Sequence, residues 1–272
     1  MLDRLRIENE LHAAIDGGQI LVLYQPIVAL TDGSIAGFEA LARWRHPERG
    51  LIPPGAFIQI AEESGMIGAL GEAVLRMATG DMAGWLRRAG GPEGPFLRVN
   101  LSPLQLEEER LVERIASILA DSGLEPRRLK LEITETAIMT NPIDVRETLS
   151  ALVALGIRLC MDDFGTGYSS LSQLHSYPFD TLKIDRSFIA KLRSGDDGVA
   201  IVRSILMLAE HLRLSVVAEG IEEPAQREWL RAHRCALGQG WLFSHPLDAA
   251  AAEAMLHATA DRPAPRKLGA IG

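Results

Sequence analysis

The sequence predicts a single α/β domain, a modified TIM-type (β/α)8 barrel with one antiparallel strand near the N-terminus. Eight short apolar runs follow one another along the chain, and a helical pattern follows each of the last six. Strands that alternate with helices pair in parallel, and eight of them suggest a closed barrel. Asp32 and Gly33 join the first two runs, and this turn favours an antiparallel hairpin. The length of 272 residues suits one such barrel.

The individual elements follow from the spacing of the apolar residues. We predict strands over residues 20–30, 35–44, 96–101, 129–134, 157–162, 182–185, 215–219 and 236–243. We predict helices over residues 1–17, 53–88, 107–122, 142–155, 168–176, 198–212, 225–233 and 249–257. The second helix should break near Gly65 or Gly71, because glycine weakens a helix interior.

The sequence divides the chain into three parts. Residues 1–18 form a predicted helix that could join an upstream module, residues 19–258 form the barrel, and residues 259–272 form a tail that we expect to be disordered. The N-terminus lacks the apolar core of a signal peptide, and no apolar run approaches the roughly 20 residues of a membrane span. We therefore expect a cytoplasmic domain without membrane contact of its own, although a longer parent protein could be membrane-anchored.

Charge and cysteine content limit the class of protein. The formal net charge is −8, whereas surfaces that bind nucleic-acid polymers carry a basic excess. We therefore expect no nucleic-acid polymer as a partner. A phosphate-containing substrate stays open, because a bound cation can reverse the local field. Cys160 and Cys235 lie in apolar segments, which favours buried free thiols in a reducing compartment.

Polar side chains interrupt the apolar strands, where they are costly unless paired or coordinating. Five of them are acidic, and we call this set the acidic ring: Glu39, Glu132, Asp162, Asp163 and Glu219. The strands also contain Asn100, Lys183 and Gln239. Except for Glu39, these residues lie at or near the C-terminal ends of their strands. In a (β/α)8 barrel those ends meet at the face that carries the active site, so the sequence predicts that they surround one mouth.

The acidic ring predicts bound cations, because five carboxylates this close cannot all stay ionised without positive charge between them. The candidate ligands are oxygens, with no His or Cys, which favours Mg²⁺ or Mn²⁺ over zinc. The adjacent Asp162 and Asp163 could bridge two such ions. Each residue taken alone has a structural alternative: Asp163 or Thr166 could cap the helix predicted near Tyr168, and Lys183 could be a buried counterion. The convergence of the whole set favours a metal centre.

A glycine-containing loop over residues 164–170 follows the two aspartates. Gly165 and Gly167 permit a tight turn whose backbone N–H groups could hold a phosphate. The same loop could be a lid, a dimer contact or a turn without function.

Eight ordered motifs carry a resemblance to a known family. They are Tyr24-Gln25-Pro26-Ile27, Gly37-Phe38-Glu39-Ala40-Leu41-Ala42-Arg43-Trp44, Val99-Asn100-Leu101-Ser102, Leu131-Glu132-Ile133-Thr134-Glu135-Thr136, Asp162-Asp163-Phe164-Gly165-Thr166-Gly167, Leu182-Lys183-Ile184-Asp185, Ala218-Glu219-Gly220-Ile221-Glu222 and Gly238-Gln239-Gly240-Trp241. The set resembles the EAL family of cyclic di-GMP phosphodiesterases over about residues 7–247. Ala42 stands where many relatives have a larger apolar residue and Trp241 where Tyr is common, and neither change removes a ligand.

The resemblance implies a role for each site residue. Glu39, Asn100, Glu132 and Asp162 would hold a first Mg²⁺ or Mn²⁺ ion, and Asp162 and Asp163, with Glu219 beside them, would hold a second. The catalytic residues would be Lys183, which orients the attacking water, together with Glu39, Glu219 and Gln239. Gln25, Arg43 and Asp185 would contact the substrate, and Glu135 would stabilise the loop over residues 164–170.

The resemblance also implies the reaction and the partners. Water activated by two metal ions would open cyclic di-GMP to the linear product 5′-pGpG. The chain would form a homodimer and could be tethered to an upstream sensory or GGDEF module. Two alternatives stay open at this point, a domain that binds cyclic di-GMP without hydrolysing it and a barrel metalloenzyme that acts on a different phosphodiester.

Overall fold

The computed structural model describes residues 2–89, 94–140, 142–165, 177–193 and 196–260. Its strands are β1 (Ile20–Ala29), β2 (Ile35–His46), β3 (Gly50–Ile52), β4 (Phe96–Asn100), β5 (Leu129–Thr134), β6 (Arg158–Phe164), β7 (Thr181–Ile184), β8 (Ser215–Ala218) and β9 (Leu237–Gly238). Its helices are α1 (Leu2–Asp16), α2 (Ile58–Glu63), α3 (Ile67–Ala89), α4 (Pro103–Leu106), α5 (Leu111–Ser122), α6 (Glu135–Thr140), α7 (Pro142–Ala154), α8 (Arg186–Ala190), α9 (Asp196–Leu212), α10 (Pro224–Ala232) and α11 (Ala249–Ala260). Short 3₁₀ turns occupy Pro54–Ala56, Pro126–Arg128 and Lys191–Arg193.

Eight of the strands close into a barrel, which confirms the predicted fold class. The sheet runs in the order β1, β9, β8, β7, β6, β5, β4, β2, and pairing of β1 with β2 closes it. Strand β1 is antiparallel to both of its neighbours, whereas the other barrel pairs are parallel. Strand β3 lies outside the barrel and pairs only with the end of β2.

The first two strands form the hairpin that the sequence predicts. Asp32 accepts a hydrogen bond on Oδ1 from the Ser34 backbone N–H at 2.9 Å, and Gly33 has a φ of 77°. A positive φ suits glycine, so the turn residues direct the chain back along β1. This reversal makes β1 the antiparallel strand of the barrel.

Alternation along the parallel strands divides their side chains between two environments. On β4, Leu97 and Val99 are buried with the apolar residues that the helices cover. Arg98 and Asn100 face the other way, into the barrel and towards its C-terminal mouth. The helices therefore cover an apolar layer, while the barrel interior holds ionisable groups.

Several element boundaries differ from the sequence-based prediction for local reasons. The break in the second predicted helix lies at Gly65, whereas Gly71 lies inside α3. The last strand ends at Gly238, because a turn begins at Gly240 and includes the Phe243 N–H donating to Gly240 O at 3.1 Å. The sequence did not predict β3, α4, α6 or α8. The helix predicted over residues 168–176 lies outside the described residues.

Both ends of the described chain are helical. Helix α1 packs on α2 and α3 with Leu11 and Ala14 fully buried. Helix α11 extends to Ala260, into the predicted tail, and residues 261–272 lie outside the described part of the chain. Within the described ranges, no helix has the length and apolarity needed to span a membrane.

Candidate active site

Four members of the acidic ring, Glu39, Glu132, Asp162 and Glu219, surround Lys183 at the C-terminal mouth of the barrel. The Lys183 ammonium lies 3.4 Å from Glu132 Oε2, 3.3 Å from Asp162 Oδ1 and 3.5 Å from Glu219 Oε2. Glu39 Oε2 is slightly farther away, at 3.7 Å. Lys183 is 2% exposed, so these carboxylates surround a buried cation.

Two amide side chains fix the orientation of Glu39, and a third contacts one of them. Asn100 donates from Nδ2 to Glu39 Oε1 at 3.0 Å, and Gln239 donates from Nε2 to Glu39 Oε2 at 2.7 Å. Gln239 Nε2 also donates to Gln25 Oε1 at 3.0 Å, and Gln25 Nε2 donates to the Ser244 carbonyl at 3.2 Å. The structure therefore brings together Gln25, Glu39, Asn100 and Gln239, which belong to four different strands or strand ends.

A bulge in β6 directs the two adjacent aspartates. The register between β6 and β7 shifts between Met161 and Phe164, and Asp163 has a left-handed φ of 56°. The Asp163 N–H donates to Asp162 Oδ1 at 2.9 Å. Successive side chains of a regular strand point to opposite faces, and a bulge locally alters that alternation. The bulge therefore changes the directions in which the side chains of Asp162 and Asp163 leave the strand.

Glu135 and Asp185 lie at the N-terminal ends of two short helices, α6 and α8, that follow β5 and β7. Glu135 is 7% exposed, and its Oε2 accepts a hydrogen bond from the Gly165 N–H at 3.3 Å. Glu135 thus holds the start of the predicted loop, whose residues 166–170 lie outside the described residues. Asp185 caps α8 by accepting from the Ser187 N–H at 2.9 Å. A capping role alone accounts for the position of Asp185.

Arg43 lies four residues beyond Glu39 on β2 and is partly buried. Its Nη1 donates to the Ala42 carbonyl at 2.8 Å. Burial lowers the pKa of Arg43, and the charge of Glu39 partly opposes this effect. Within the described residues Arg43 forms no ion pair, which leaves its charge available to an anion.

The sequence analysis missed Arg98, which lies inside the barrel beneath the ring. Its Nη1 is 3.1 Å from Glu132 Oε1, and both side chains are fully buried. An arginine in the apolar run Phe96-Leu97-Arg98-Val99, two residues before Asn100, was the available signal. Alternation along the strand predicts that Arg98 and Asn100 share the inner face.

Burial and crowding set the protonation of the acidic ring. Burial and the charge of Glu39 raise the pKa of Glu132 to about 8, despite the opposing effects of Lys183 and Arg98. Burial also raises the pKa of Glu39, but Lys183, Arg98 and the two amide donors outweigh it, so that the net shift is downward. Burial raises the pKa of Glu219 and, with the Asp162 charge, that of Asp163. Surrounding carboxylates hold the pKa of Lys183 well above its usual value despite burial.

We predict that Glu132→Gln removes a pH-dependent loss of stability from the metal-free protein. The pKa of Glu132 rises from 4.5 to about 8 on folding, so the folded state holds this proton more tightly than the unfolded state. Its contribution to stability is present below pH 4.5 and is lost as the pH rises through about 8. Glutamine does not ionise, so the variant should have the higher Tm in alkaline buffer with chelator.

Circular-dichroism melting of the wild type and Glu132→Gln, from weakly acidic to alkaline buffer, measures this difference. The surface variant Glu125→Gln is the control, because Glu125 pairs with the exposed Arg127. Melting temperatures that fall in parallel for the wild type and Glu132→Gln would contradict the assignment.

The donor set fits a hard divalent cation. Carboxylate and amide oxygens converge here, and Gln239 Oε1 is a buried acceptor without a hydrogen-bond donor among the described residues. No three of the described Asp, Glu, His or Cys side chains form a ready metal cage, because the Lys183 ammonium lies among the carboxylates. Metal binding would therefore require side chains around Lys183 to move.

A cavity of about 330 Å³ adjoins the ring at Asn100. It lies between β2, β4 and the helices α2 to α4, and its lining is mainly apolar, including Leu41, Ala42 and Pro54. Glu62 and Ser102 provide polar groups in the same cavity, and Ser102 Oγ donates to Glu62 Oε1 at 2.7 Å. Asn100 therefore both contacts Glu39 and lines this cavity.

The amino-acid sequence of the chain matches the model of a known protein family. The model of the family described as EAL domain matches residues 8–246. The chain belongs to the EAL family. Relatives of this EAL domain include the cyclic di-GMP phosphodiesterase NbdA of Pseudomonas aeruginosa, which is 43% identical over 254 residues, covering 93% of this chain and 32% of that protein. A signalling protein of Caulobacter vibrioides is 45% identical over 245 residues, covering 90% of this chain and 29% of its own length.

Solved structures of EAL proteins share the fold of this EAL domain. The PaMucR phosphodiesterase in complex with c-di-GMP is 41% identical with a TM-score of 0.86, and the match covers 91% of this chain and 99% of that chain. The EAL enzyme Bd1971, in the form with cAMP and cyclic di-GMP bound, has a TM-score of 0.89 at 33% identity, with 94% of this chain and 69% of that chain covered. The chain spans about a third of the length of the curated relatives it matches.

Proposed function

We propose that this EAL domain is a metal-dependent phosphodiesterase that hydrolyses cyclic di-GMP to linear 5′-pGpG. The convergence of four carboxylates on the buried ammonium of Lys183 carries the proposal. So concentrated a set of buried charges is expensive to fold, and such clusters occur mainly where chemistry or cation binding requires them. The names of the relatives NbdA and PaMucR support cyclic di-GMP as the substrate.

The oxygen donors of the site divide between two candidate cation positions. Glu39, Asn100, Glu132 and Asp162 would hold one Mg²⁺ or Mn²⁺ ion, and Asp162, Asp163 and Glu219 would hold the other. Bound in this way, the two ions would lower the pKa of a water molecule and neutralise charge on the phosphoryl oxygens. Gln239 would keep Glu39 in its ligating orientation through the hydrogen bond of 2.7 Å.

Lys183 would hold the attacking water and direct its lone pair towards phosphorus. Its ammonium is central to the ring, within 3.3–3.7 Å of four carboxylates. The carboxylates keep it protonated, so it acts as a hydrogen-bond donor and a fixed positive charge. Attack in line would expel the 3′-oxygen of the scissile ester and leave a 5′-phosphate.

The substrate would be held by residues of β1 and β2 together with a residue at the end of β7. Arg43 has no ion pair among the described residues and suits a phosphate oxygen. Gln25 reaches the ring through Gln239 and would contact the sugar-phosphate backbone. Asp185 would contribute from the cap of α8, and Glu135 would support the catalytic loop through Gly165.

A turnover assay with and without chelator tests the function. We expect nucleotide chromatography to show pGpG as the product from cyclic di-GMP with Mg²⁺ or Mn²⁺, and no product with EDTA. We expect turnover to depend on metal because free water has a pKa of about 15.7 and is a poor nucleophile at neutral pH, and a bound metal ion lowers that pKa. Metal-dependent binding without product would instead identify a cyclic di-GMP sensor. Faster hydrolysis of another phosphodiester would reject the substrate assignment.

We further propose that the domain acts within a larger cytoplasmic signalling protein. MucR of Pseudomonas aeruginosa, named a bifunctional diguanylate cyclase and phosphodiesterase, matches this chain over 36% of its own length. Helix α1 would join the domain to an upstream sensory or GGDEF module. A homodimer is the expected assembly, and light scattering of the purified chain tests it.

A further inference from the structure

Two buried cations lie side by side on neighbouring strands inside the barrel. Arg98 on β4 and Lys130 on β5 are registered partners in the sheet, and both lie near the ring of Phe96. The Arg98 guanidinium carbon is 5.7 Å from the ring centroid and the Lys130 ammonium is 4.7 Å from it. Arg98 and Lys130 therefore lie in the same layer of the barrel.

The partners of these two cations differ. Lys130 donates to Thr181 Oγ1 at 2.9 Å and lies 3.4 Å from Asp180 Oδ1, at the end of the barrel opposite the mouth. Arg98 Nη1 lies 3.1 Å from Glu132 Oε1, beneath the mouth. Lys130 therefore contacts residues at the end of the barrel opposite the mouth, whereas Arg98 contacts a member of the acidic ring.

The Arg98 side chain is fully buried but lacks the hydrogen bonds that a buried guanidinium normally has. None of its three side-chain nitrogens has a hydrogen bond of good geometry to the described residues. Glu132 Oε1 likewise accepts no hydrogen bond of good geometry from them. A buried guanidinium in this state costs free energy, so stability alone does not explain it. Its contact with Glu132 does suggest an explanation.

The two oxygens of Glu132 face different cations. Oε1 lies against Arg98 at 3.1 Å, and Oε2 lies 3.4 Å from the Lys183 ammonium in the ring. Because Arg98 Nη1 lies 3.1 Å from Oε1, rotation of the carboxylate out of its present plane would lengthen this contact. The contact therefore keeps Oε2 directed towards the centre of the ring.

We propose that Arg98 is a positioning residue that orients Glu132 as a metal ligand and thereby sets the affinity of the site for divalent cations. This inference rests on the proposed function, because it assumes that Glu132 is a ligand. Groups that orient a metal ligand typically change metal affinity by about 10–100-fold when they are removed. Loss of the Arg98 charge would by itself tighten cation binding, so weaker binding in a variant would report orientation.

Calorimetric titration of the metal-free protein with Mn²⁺ tests the proposal at one fixed pH. We expect Arg98→Met to raise the Kd for Mn²⁺ about 10–100-fold. Arg98→Lys keeps the buried charge but lacks the planar fork, so we expect a smaller rise in Kd. This second variant decides the question if Arg98→Met does not fold.

Lys130→Met is the matched control. It removes a buried cation from the same layer, and we expect a lower Tm with an unchanged Kd for Mn²⁺. Wild-type or tighter Mn²⁺ binding in Arg98→Met, wild-type binding in Arg98→Lys, or equal weakening in Lys130→Met would overturn the proposal. A wild-type protein that neither binds Mn²⁺ nor hydrolyses cyclic di-GMP would instead reject the proposed function.

Discussion

Replacing Lys183 by methionine is expected to lower kcat for cyclic di-GMP hydrolysis by about 10²–10⁴-fold, the usual contribution of a group that handles the reacting proton or water. Methionine nearly preserves the volume of lysine and removes its charge and donors. Without the ammonium, the attacking water loses the donor that holds it in line. Initial rates at saturating Mn²⁺ and substrate measure this effect.

The same substitution should make folding depend strongly on metal. In the metal-free protein Lys183 is the positive charge shared by Glu39, Glu132, Asp162 and Glu219. Its removal takes away the ion-pair partner of Glu39, Asp162 and Glu219, which is strongly destabilising. We therefore expect a lower Tm in EDTA and a larger rise on adding Mn²⁺ than in the wild type.

The exposed lysine Lys191 provides the control, since it lies near the Phe188 ring away from the acidic ring. Lys191→Met should keep wild-type kcat and an ordinary response of the Tm to metal. A Lys183→Met protein with kcat within tenfold of the wild type would reject the catalytic assignment of this residue.

Replacing Glu39 by glutamine is expected to lower kcat/KM by at least about 10²–10³-fold, the cost of removing one preorganised electrostatic group. Glu39 accepts from both Asn100 and Gln239, so its two oxygens are held in place. Glutamine presents an NH₂ group where one of those donors already points, and it lacks the negative charge that attracts a cation. We expect weaker Mn²⁺ binding together with the loss of turnover.

Two readouts separate this effect from misfolding. Circular dichroism should show native secondary structure in Glu39→Gln, and calorimetry should show a higher Kd for Mn²⁺. The surface variant Glu125→Gln should match the wild type in both. Wild-type Mn²⁺ affinity in Glu39→Gln would remove Glu39 from the proposed ligand set.

The barrel was predictable because its signals are local. Apolar runs separated by helical patterns indicate parallel strands, and the Asp32-Gly33 turn indicates the one reversal. The structure confirms both, with β1 antiparallel to its neighbours. Short elements such as α6 and α8 escaped prediction, because a single helical turn has no periodicity to detect. The early end of β9 escaped for a similar reason, since the apolar pattern continues past the turn at Gly240.

The sequence by itself determined which residues can meet at the mouth, because strand ends in a parallel barrel converge by geometry. Only the tertiary structure decided how they are arranged: the bulge that redirects Asp162 and Asp163, the capping role of Asp185, and Lys183 at the centre of the acidic ring. It also revealed Arg98, whose partner Glu132 lies 34 positions away in the chain. Local pattern determines strands and faces, whereas the partner of a buried charge depends on contacts between distant segments.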